Sequence, residues 1–464
     1  MSLVELAQRI AVGDCSSEEA TQACIERIER LQPSLNCFIS FDPDGALEQA
    51  READRRRSAG EPLGPLHGVP LAHKDMFYRE GVVTTCGSKI RADFRPDRSA
   101  TVLERLRTAG ALHLGGLNMA EFASGPTGHN AHYGACRNPW NTDFITGGSS
   151  SGSGSAVAAR LVHGALGSDT GGSVRLPAAA CGLFGMKGTQ TRVSRYGCMG
   201  LSFSMDNIGP LTRTTRDCAR LFQLIAGHDP NDPTSSRMPV PDYESMTIDA
   251  DLEGLRIGVP GNYFCDDLDD CVSKVVAASL QRLQAAGATL VEVELPFAET
   301  IGGLGTAISG TEALALHRAW LRDRPHDYGP QVRARYMMNL GIPAADYLAV
   351  VQARPRVIQG FVEKVFGACD VLHCPVFPFA LPTIAATDVE DQQGFEQLLA
   401  ATTRLTRPLN FLGLPALSVP GGFCANGLPV GLQLVGRPYS EATLFRAGAA
   451  YEAISGCAQW APDI

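Results

Sequence analysis

Three stretches of this 464-residue chain hold side chains that could do nucleophilic chemistry. One is the apolar run "GVPLAHK", which ends in Lys74, and the others are two glycine- and serine-rich clusters, "GGSSSGSGS" (147–155) and "GSDTGGSVR" (167–175). A serine hydroxyl is a weak nucleophile until a neighbour takes its proton, and a lysine can take it only while uncharged. Serines paired with a lysine base are therefore one reading of these stretches. Three others fail on spacing or context. "GLFGMKGT" (182–189) lacks the spacing of a phosphate-binding loop. A dinucleotide fingerprint needs a third glycine after Gly152 and Gly154, where Val157 stands. "GSSSG" (148–152) matches a nucleophile elbow centred on Ser150, but the elbow follows a buried strand and "RNPWNTDFIT" is rich in turn formers. The histidines form no H-E-x-x-H, the fourteen cysteines form no C-x-x-C, and His129 with His132 lacks a nearby acidic third ligand, so neither a metal site nor a cofactor is expected.

The clusters need elements to hold them. "GGSSSGSGS" alone could be a linker, but "SAVAARLVHGALG" (155–167) continues as a small-residue apolar helix running into the second cluster. The first cluster thus sits at a helix start inside a domain, where glycines allow close backbone approach and free N–H groups favour negative charge. Elsewhere short apolar runs alternate with amphipathic helices: "GLRIGVP" (254–260), then a helix and a strand within 270–296, then core strands in "CDVLHCPVFP" (369–378) and "PALSVPGGF" (415–423). No repeat or low-complexity linker divides the chain, so one α/β domain over 1–464 is expected, with N-terminal helices in 1–65 and a peripheral helical layer in 311–356 near the cleft. Ser16 with Glu19 reads as a capping box at one of those first helices.

Composition narrows the class. With 44% hydrophobic and 19% charged residues the chain should fold, and a net charge of −9 gives no general attraction to nucleic acid or anionic lipid. No run of 18 apolar residues predicts a membrane span, and the N-terminus does not read as a signal peptide. The dispersed cysteines read as small buried thiols in a reducing, cytoplasmic compartment.

Taken together, "GVPLAHKDMF", "GGSSSGSG" and "GSDTGGSVRLPAAACGLFGMKGT" resemble the amidase signature family of serine hydrolases, in which residue types and spacing agree jointly: 75 residues from Lys74 to Ser149 and 24 from Ser149 to Ser173. Flanking segments such as "NMAEFASG" (118–125) and "GLPALSVPGGFCANGLPVGLQLVG" (413–436) extend the likeness over most of the chain. The resemblance implies a single α/β/α layered domain around a large mixed, mostly parallel sheet. It also implies a Ser, cis-Ser, Lys triad, with Ser173 as acylated nucleophile, Ser149 as bridging serine after a cis peptide, and Lys74 as base. The backbone N–H groups of Thr170, Gly171, Gly172 and Ser173 are similar to the family's oxyanion hole, Asp169 and Arg175 would hold that turn, and Met119, Ser150 and Leu176 would lie beside the substrate.

The implied activity is hydrolysis of a small-molecule carboxamide by water, including urea-like amides such as biuret or guanylurea derivatives. A homodimer is the assembly left open. The alternative is the A subunit of a glutamine-dependent aminoacyl-tRNA amidotransferase, and two positions speak against it. That branch usually has glutamine three residues after the nucleophile, where Leu176 stands, and an acid seven before the asparagine of P-x-N, where Thr403 stands. Leu176 suggests an apolar or neutral group on the substrate beside the nucleophile. A partner-dependent or inactive scaffold is the non-enzymatic alternative.

Overall fold

The amphipathic N-terminus forms two helices, Leu3–Val12 and Ser17–Leu35, each opened by a capping box, Ser2 with Glu5 and Ser16 with Glu19. They belong to a computed structural model that describes residues 1–389 and 392–464. The Ser17 hydroxyl donates to the Gly68 carbonyl (2.8 Å), anchoring the second helix to the chain that leads to Lys74. That chain continues as the strand Pro70–Lys74, buried at every position. It lies in a three-stranded sheet, parallel to Leu112–Leu117, which in turn pairs antiparallel with Phe38–Phe41.

The main sheet has eight strands, in the order Thr289–Val293, Arg256–Pro260, Val371–Pro375, Pro429–Gly436, Ala416–Phe423, Phe184–Lys187, Asn207–Thr212 and Ala165–Asp169. It is mixed, as expected, but not mostly parallel. Only the three strands at the first edge run parallel, and every later pairing is antiparallel. The physical reason is connectivity: only the helix Asp270–Ala285 acts as a crossover between neighbouring parallel strands, whereas the short turn 424–428 folds two strands into a hairpin. Helices Arg175–Ala180, Thr215–Ile225, Asp270–Ala285 and Glu441–Ser455 pack on this sheet.

The two sheets are joined where the chemistry-bearing residues meet. The Leu166 N–H at the start of the last strand donates to His73 Nδ1 (3.1 Å), so the residue before Lys74 is bonded to the strand before the second cluster. Between them runs the helix Ser151–Ala158, whose Gly152 has no room for a side chain: a β-carbon there would lie 2.4 Å from the Cys37 carbonyl oxygen. Residues 298–368 form the long helices Ala298–Asp323, Pro330–Met338 and Ala344–Ala368.

One departure concerns the cysteines. Cys271 and Cys424 form a disulfide that closes a separation of 153 residues, although dispersed free thiols were expected. Their partnership is invisible in sequence because it depends on the helix Asp270–Ala285 packing on the strand Ala416–Phe423. Most of the remaining thiols are buried, and Cys265 is exposed. No helix among the described residues is long and apolar enough to cross a membrane, and no group of three potential metal ligands occurs among them.

Candidate active site

Lys74 closes its strand with its side chain 1% exposed. Its ammonium nitrogen donates to Ser149 Oγ at 2.7 Å and to Ser168 Oγ at 2.8 Å. Burial pulls the Lys74 pKa down from 10.5 to about 7, against a weaker upward pull from Asp206, Asp169 and Cys86. Ser149 follows a cis peptide bond from Gly148, and its carbonyl accepts the Ala120 N–H (3.1 Å). Ser168, a partner that the sequence reading missed, sits within the second cluster one residue from Asp169. Its placement follows from Ser150, which is fully buried; Ser150 Oγ accepts the Ser168 N–H at 3.2 Å and donates to the Ser168 carbonyl at 3.3 Å. Ser150 therefore braces two segments.

Ser173 lies on the turn between the strand Ala165–Asp169 and the helix Arg175–Ala180. It is half-buried and lines a cavity with Thr170, Gly171, Arg335, Thr403 and Arg407, whose space including its open mouth is about 330 Å³. Its hydroxyl makes no hydrogen bond to Ser149 or to any other described residue. The structure thus joins Lys74 to Ser149 directly and leaves Ser173 free at the cavity wall. Catalytic contacts of this kind often close only when substrate is bound.

The turn is held by a buried ion pair. The carboxylate of Asp169 accepts from Arg175 Nε (3.1 Å) and Nη2 (3.0 Å), from Asn410 Nδ2 (2.8 Å) and from the N–H groups of Gly172 (2.9 Å) and Val174 (3.2 Å). Burial alone would raise the Asp169 pKa; the charge and hydrogen bonds of Arg175, with Lys187 and Asn410, outweigh it and hold the group well below the usual carboxylate range. Arg175 also donates to Gln433 Oε1 (2.9 Å), the Thr406 carbonyl (3.0 Å) and Asn410 Oδ1 (2.7 Å), and the Thr406 hydroxyl donates to the Gly171 carbonyl (2.6 Å). Thr170 Oγ1 donates to Asp206 (2.5 Å), whose carboxylate also accepts from the N–H groups of Leu201 and Ser202. Sequence reasoning missed Thr406, Gln433 and Asp206 because their partners are remote in sequence.

Two expectations change here. Of the four N–H groups expected to face an oxyanion, that of Gly172 is already donated to Asp169, while those of Thr170, Gly171 and Ser173 find no acceptor among the described residues. Gly172 itself adopts φ +126°, and a β-carbon on it would collide with the Thr406 hydroxyl. Met119 and Leu176 are fully buried and absent from the cavity wall: the Met119 carbonyl accepts from Asn130 Nδ2, and Leu176 packs with Ile145 and Val376. The apolar residue three positions after Ser173 lies on a helix face turned into the core.

The family model named Amidase matches residues 19–445. The chain belongs to the amidase signature family. Among curated amidase-family relatives, the A subunit of the glutamyl-tRNA(Gln) amidotransferase of Chloroflexus aggregans is 39% identical, across 98% of this chain and 96% of that protein. Among solved amidase-fold structures, one described as an unexpected vestigial protein complex revealing the evolutionary origins of an s-triazine catabolic enzyme superposes with a TM-score of 0.91 at 35% identity, covering 98% and 99% of the two chains. The peptide amidase of Stenotrophomonas maltophilia superposes with a TM-score of 0.84 at 31% identity, covering 98% and 96%. The chain is accordingly an amidase-family hydrolase acting on C–N bonds.

Proposed function

We propose that this amidase hydrolyses a small-molecule carboxamide through an acyl-enzyme on Ser173. The observation that carries the reading is a buried lysine, with a pKa near 7, hydrogen-bonded at 2.7 Å to the serine of the first cluster. With substrate bound, Ser173 Oγ attacks the amide carbonyl while its proton passes through Ser149 to neutral Lys74. The carbonyl oxygen, now an anion, is met by the N–H groups of Thr170, Gly171 and Ser173, which have no acceptor among the described residues, and each donor of this kind lowers the barrier by about 3 kcal/mol. The C–N bond breaks as the proton returns along the same path to the leaving nitrogen, releasing ammonia or an amine. Water then gives up a proton by the same route, attacks the acyl-serine and releases the acid. All of this requires no cofactor, and we place it in the cytoplasm. The likeness to the s-triazine-related structure supports a urea-like amide such as a biuret derivative.

A second reading is a glutamine-hydrolysing A subunit that passes ammonia to a partner. The name of the Chloroflexus relative, at 39% identity over nearly both whole chains, favours it over a free-standing amidase. Thr403, in place of an acid on the cavity wall, favours the free-standing enzyme. One experiment separates the readings: ammonia release by the purified chain over a panel of primary amides, ureas and L-glutamine, with fluorophosphonate labelling and peptide mapping. Turnover of non-glutamine amides with labelling at Ser173 supports the first reading. Turnover of glutamine alone supports the second, and a folded chain that is neither labelled nor active would be a scaffold.

A further inference from the structure

The turn formed by residues 119–124 stands between the first serine cluster and the long helices. Its Ala120 N–H donates to the Ser149 carbonyl (3.1 Å), and its Ala123 lies on the cavity wall with Ser173. The chain just beyond packs so closely on the first cluster that a β-carbon on Gly148 would lie 2.6 Å from the Gly125 carbonyl oxygen. This backbone is costly to hold, because Phe122 and Ala123, neither of them a glycine, adopt φ 48° and 59° in the left-handed region.

A file of buried side chains runs into that turn from the helical layer. The Tyr328 hydroxyl lies 2.9 Å from His317 Nδ1, His317 Nε2 lies 3.0 Å from the Tyr336 hydroxyl, and that hydroxyl lies 2.7 Å from Ser124 Oγ. Ser124 Oγ in turn donates to the Phe122 carbonyl at 3.2 Å. All five residues are buried. The rings pack as well, Phe122 edge-on to His317 with centroids 4.6 Å apart and His317 stacked on Tyr336 at 4.4 Å.

Counting protons fixes the direction of the file. Ser124 gives its single proton to the Phe122 carbonyl, so Tyr336 must donate to Ser124 and accept from His317 Nε2. A neutral imidazole has one N–H, which leaves Nδ1 to accept from Tyr328. Burial, with Arg335 and Arg91 adding to it, keeps the ring neutral by pulling its pKa from 6.5 down to about 3. All four bonds are satisfied together in this one orientation. Tyr336 also directly follows Arg335 of the cavity wall on the helix Pro330–Met338, and Glu121 Oε2 accepts the Gly329 N–H (2.8 Å) at the start of that helix.

We infer that Tyr336, oriented by His317, is a positioning residue: by bonding Ser124 it holds the turn in its left-handed course, and the turn holds the Ser149 carbonyl and with it the hydroxyl bonded to Lys74. The effect on turnover rests on the hydrolase reading, whereas the effect on the turn does not.

The test compares Tyr336→Phe and Ser124→Ala with Tyr243→Phe, a control that loses a buried hydroxyl bonded to Arg192 and packed against Phe222 and Phe445. On each chain are read hydrogen–deuterium exchange of the peptide spanning 118–126, urea melts, the rate of fluorophosphonate labelling at Ser173, and kcat and KM for a turned-over amide. Expected in the first two variants are faster exchange in the turn and a fall of roughly 10- to 100-fold in kcat and labelling rate, with KM within about threefold of native. The control should lose stability while keeping native exchange in the turn and native kcat. Nitrogen NMR should find His317 neutral, with its proton on Nε2, from about pH 5 to 9. Should Tyr336→Phe fail to fold, Ser124→Ala carries the test, and His317→Gln, whose amide still offers Tyr336 a donor, should keep activity that His317→Leu loses. Unchanged exchange in the turn, a loss of kcat no greater than in Tyr243→Phe, or a His317 protonated on Nδ1 would overturn the inference. A native chain that is neither labelled nor active, with the turn still loosened in Tyr336→Phe, would refute the hydrolase reading and uphold the role of Tyr336 in the turn.

Discussion

The base assigned to Lys74 makes a prediction with two readouts of opposite character. A fall in its pKa from 10.5 to about 7, at 1.36 kcal/mol for each tenfold change in proton affinity, means that the folded protein disfavours the ammonium by about 5 kcal/mol. For activity, the proton acceptor is present only above that pKa, so log(kcat/KM) should climb with a slope near one below pH 7 and level off above it. For stability, the unfolded chain holds the proton between pH 7 and 10.5 while the folded chain has lost it. Stability must then rise with pH across that window, with the full cost present below 7 and none above 10.5. Lys74→Met removes the cost together with two hydrogen bonds, to Ser149 and Ser168, worth about 1 kcal/mol each. The variant should be inactive and more stable than the native chain by about 3 kcal/mol at pH 6, with the advantage gone near pH 9. Ammonia-release kinetics and urea melts at pH 6 and 9 measure both. A pH–rate profile flat between 6 and 8, or a Lys74→Met chain that is less stable at pH 6, would refute the buried neutral base.

Three other substitutions bear on the turn. Ser173→Ala should abolish fluorophosphonate labelling and amide turnover with a melting temperature near that of the native chain, because the hydroxyl holds nothing in place. Gly172→Ala forces a side chain into the Thr406 hydroxyl at φ +126° and should displace the donors beside it, lowering kcat by about a hundredfold. Arg175→Met strands Asp169 without its buried partner and should cost about 3–5 kcal/mol in chemical denaturation.

The sequence makes some of this legible and hides the rest for physical reasons. The alternation of strand and helix, the Ser16–Glu19 cap and the insertion of "GGSSSGSGS" at a helix start are local, and the structure shows each of them. The meeting of Lys74 with Ser149, 75 residues apart, could be reached only through the family resemblance. Strand direction failed because the expectation passed over the connections, which decide it. Leu176 misled because a residue's distance in sequence from Ser173 does not say which way a helix face turns. Arg335 and Arg407 stayed unremarked because single arginines in helical segments are ordinary; only folding sets them against one cavity. The Cys271–Cys424 bridge was hidden in the same way.

The buried ion pair of Asp169 and Arg175 has a consequence for how the enzyme comes into being. Its supports, Thr406, Asn410 and Gln433, lie 231 to 258 residues further along the chain than Arg175. During synthesis both serine clusters leave the ribosome long before those three residues exist, and until then the turn has only its local bonds, from Gly172, Val174 and Arg175 to Asp169. A chain cut short before residue 406 lacks all three supports, and the expected outcome is no release of ammonia from amides by such a truncation.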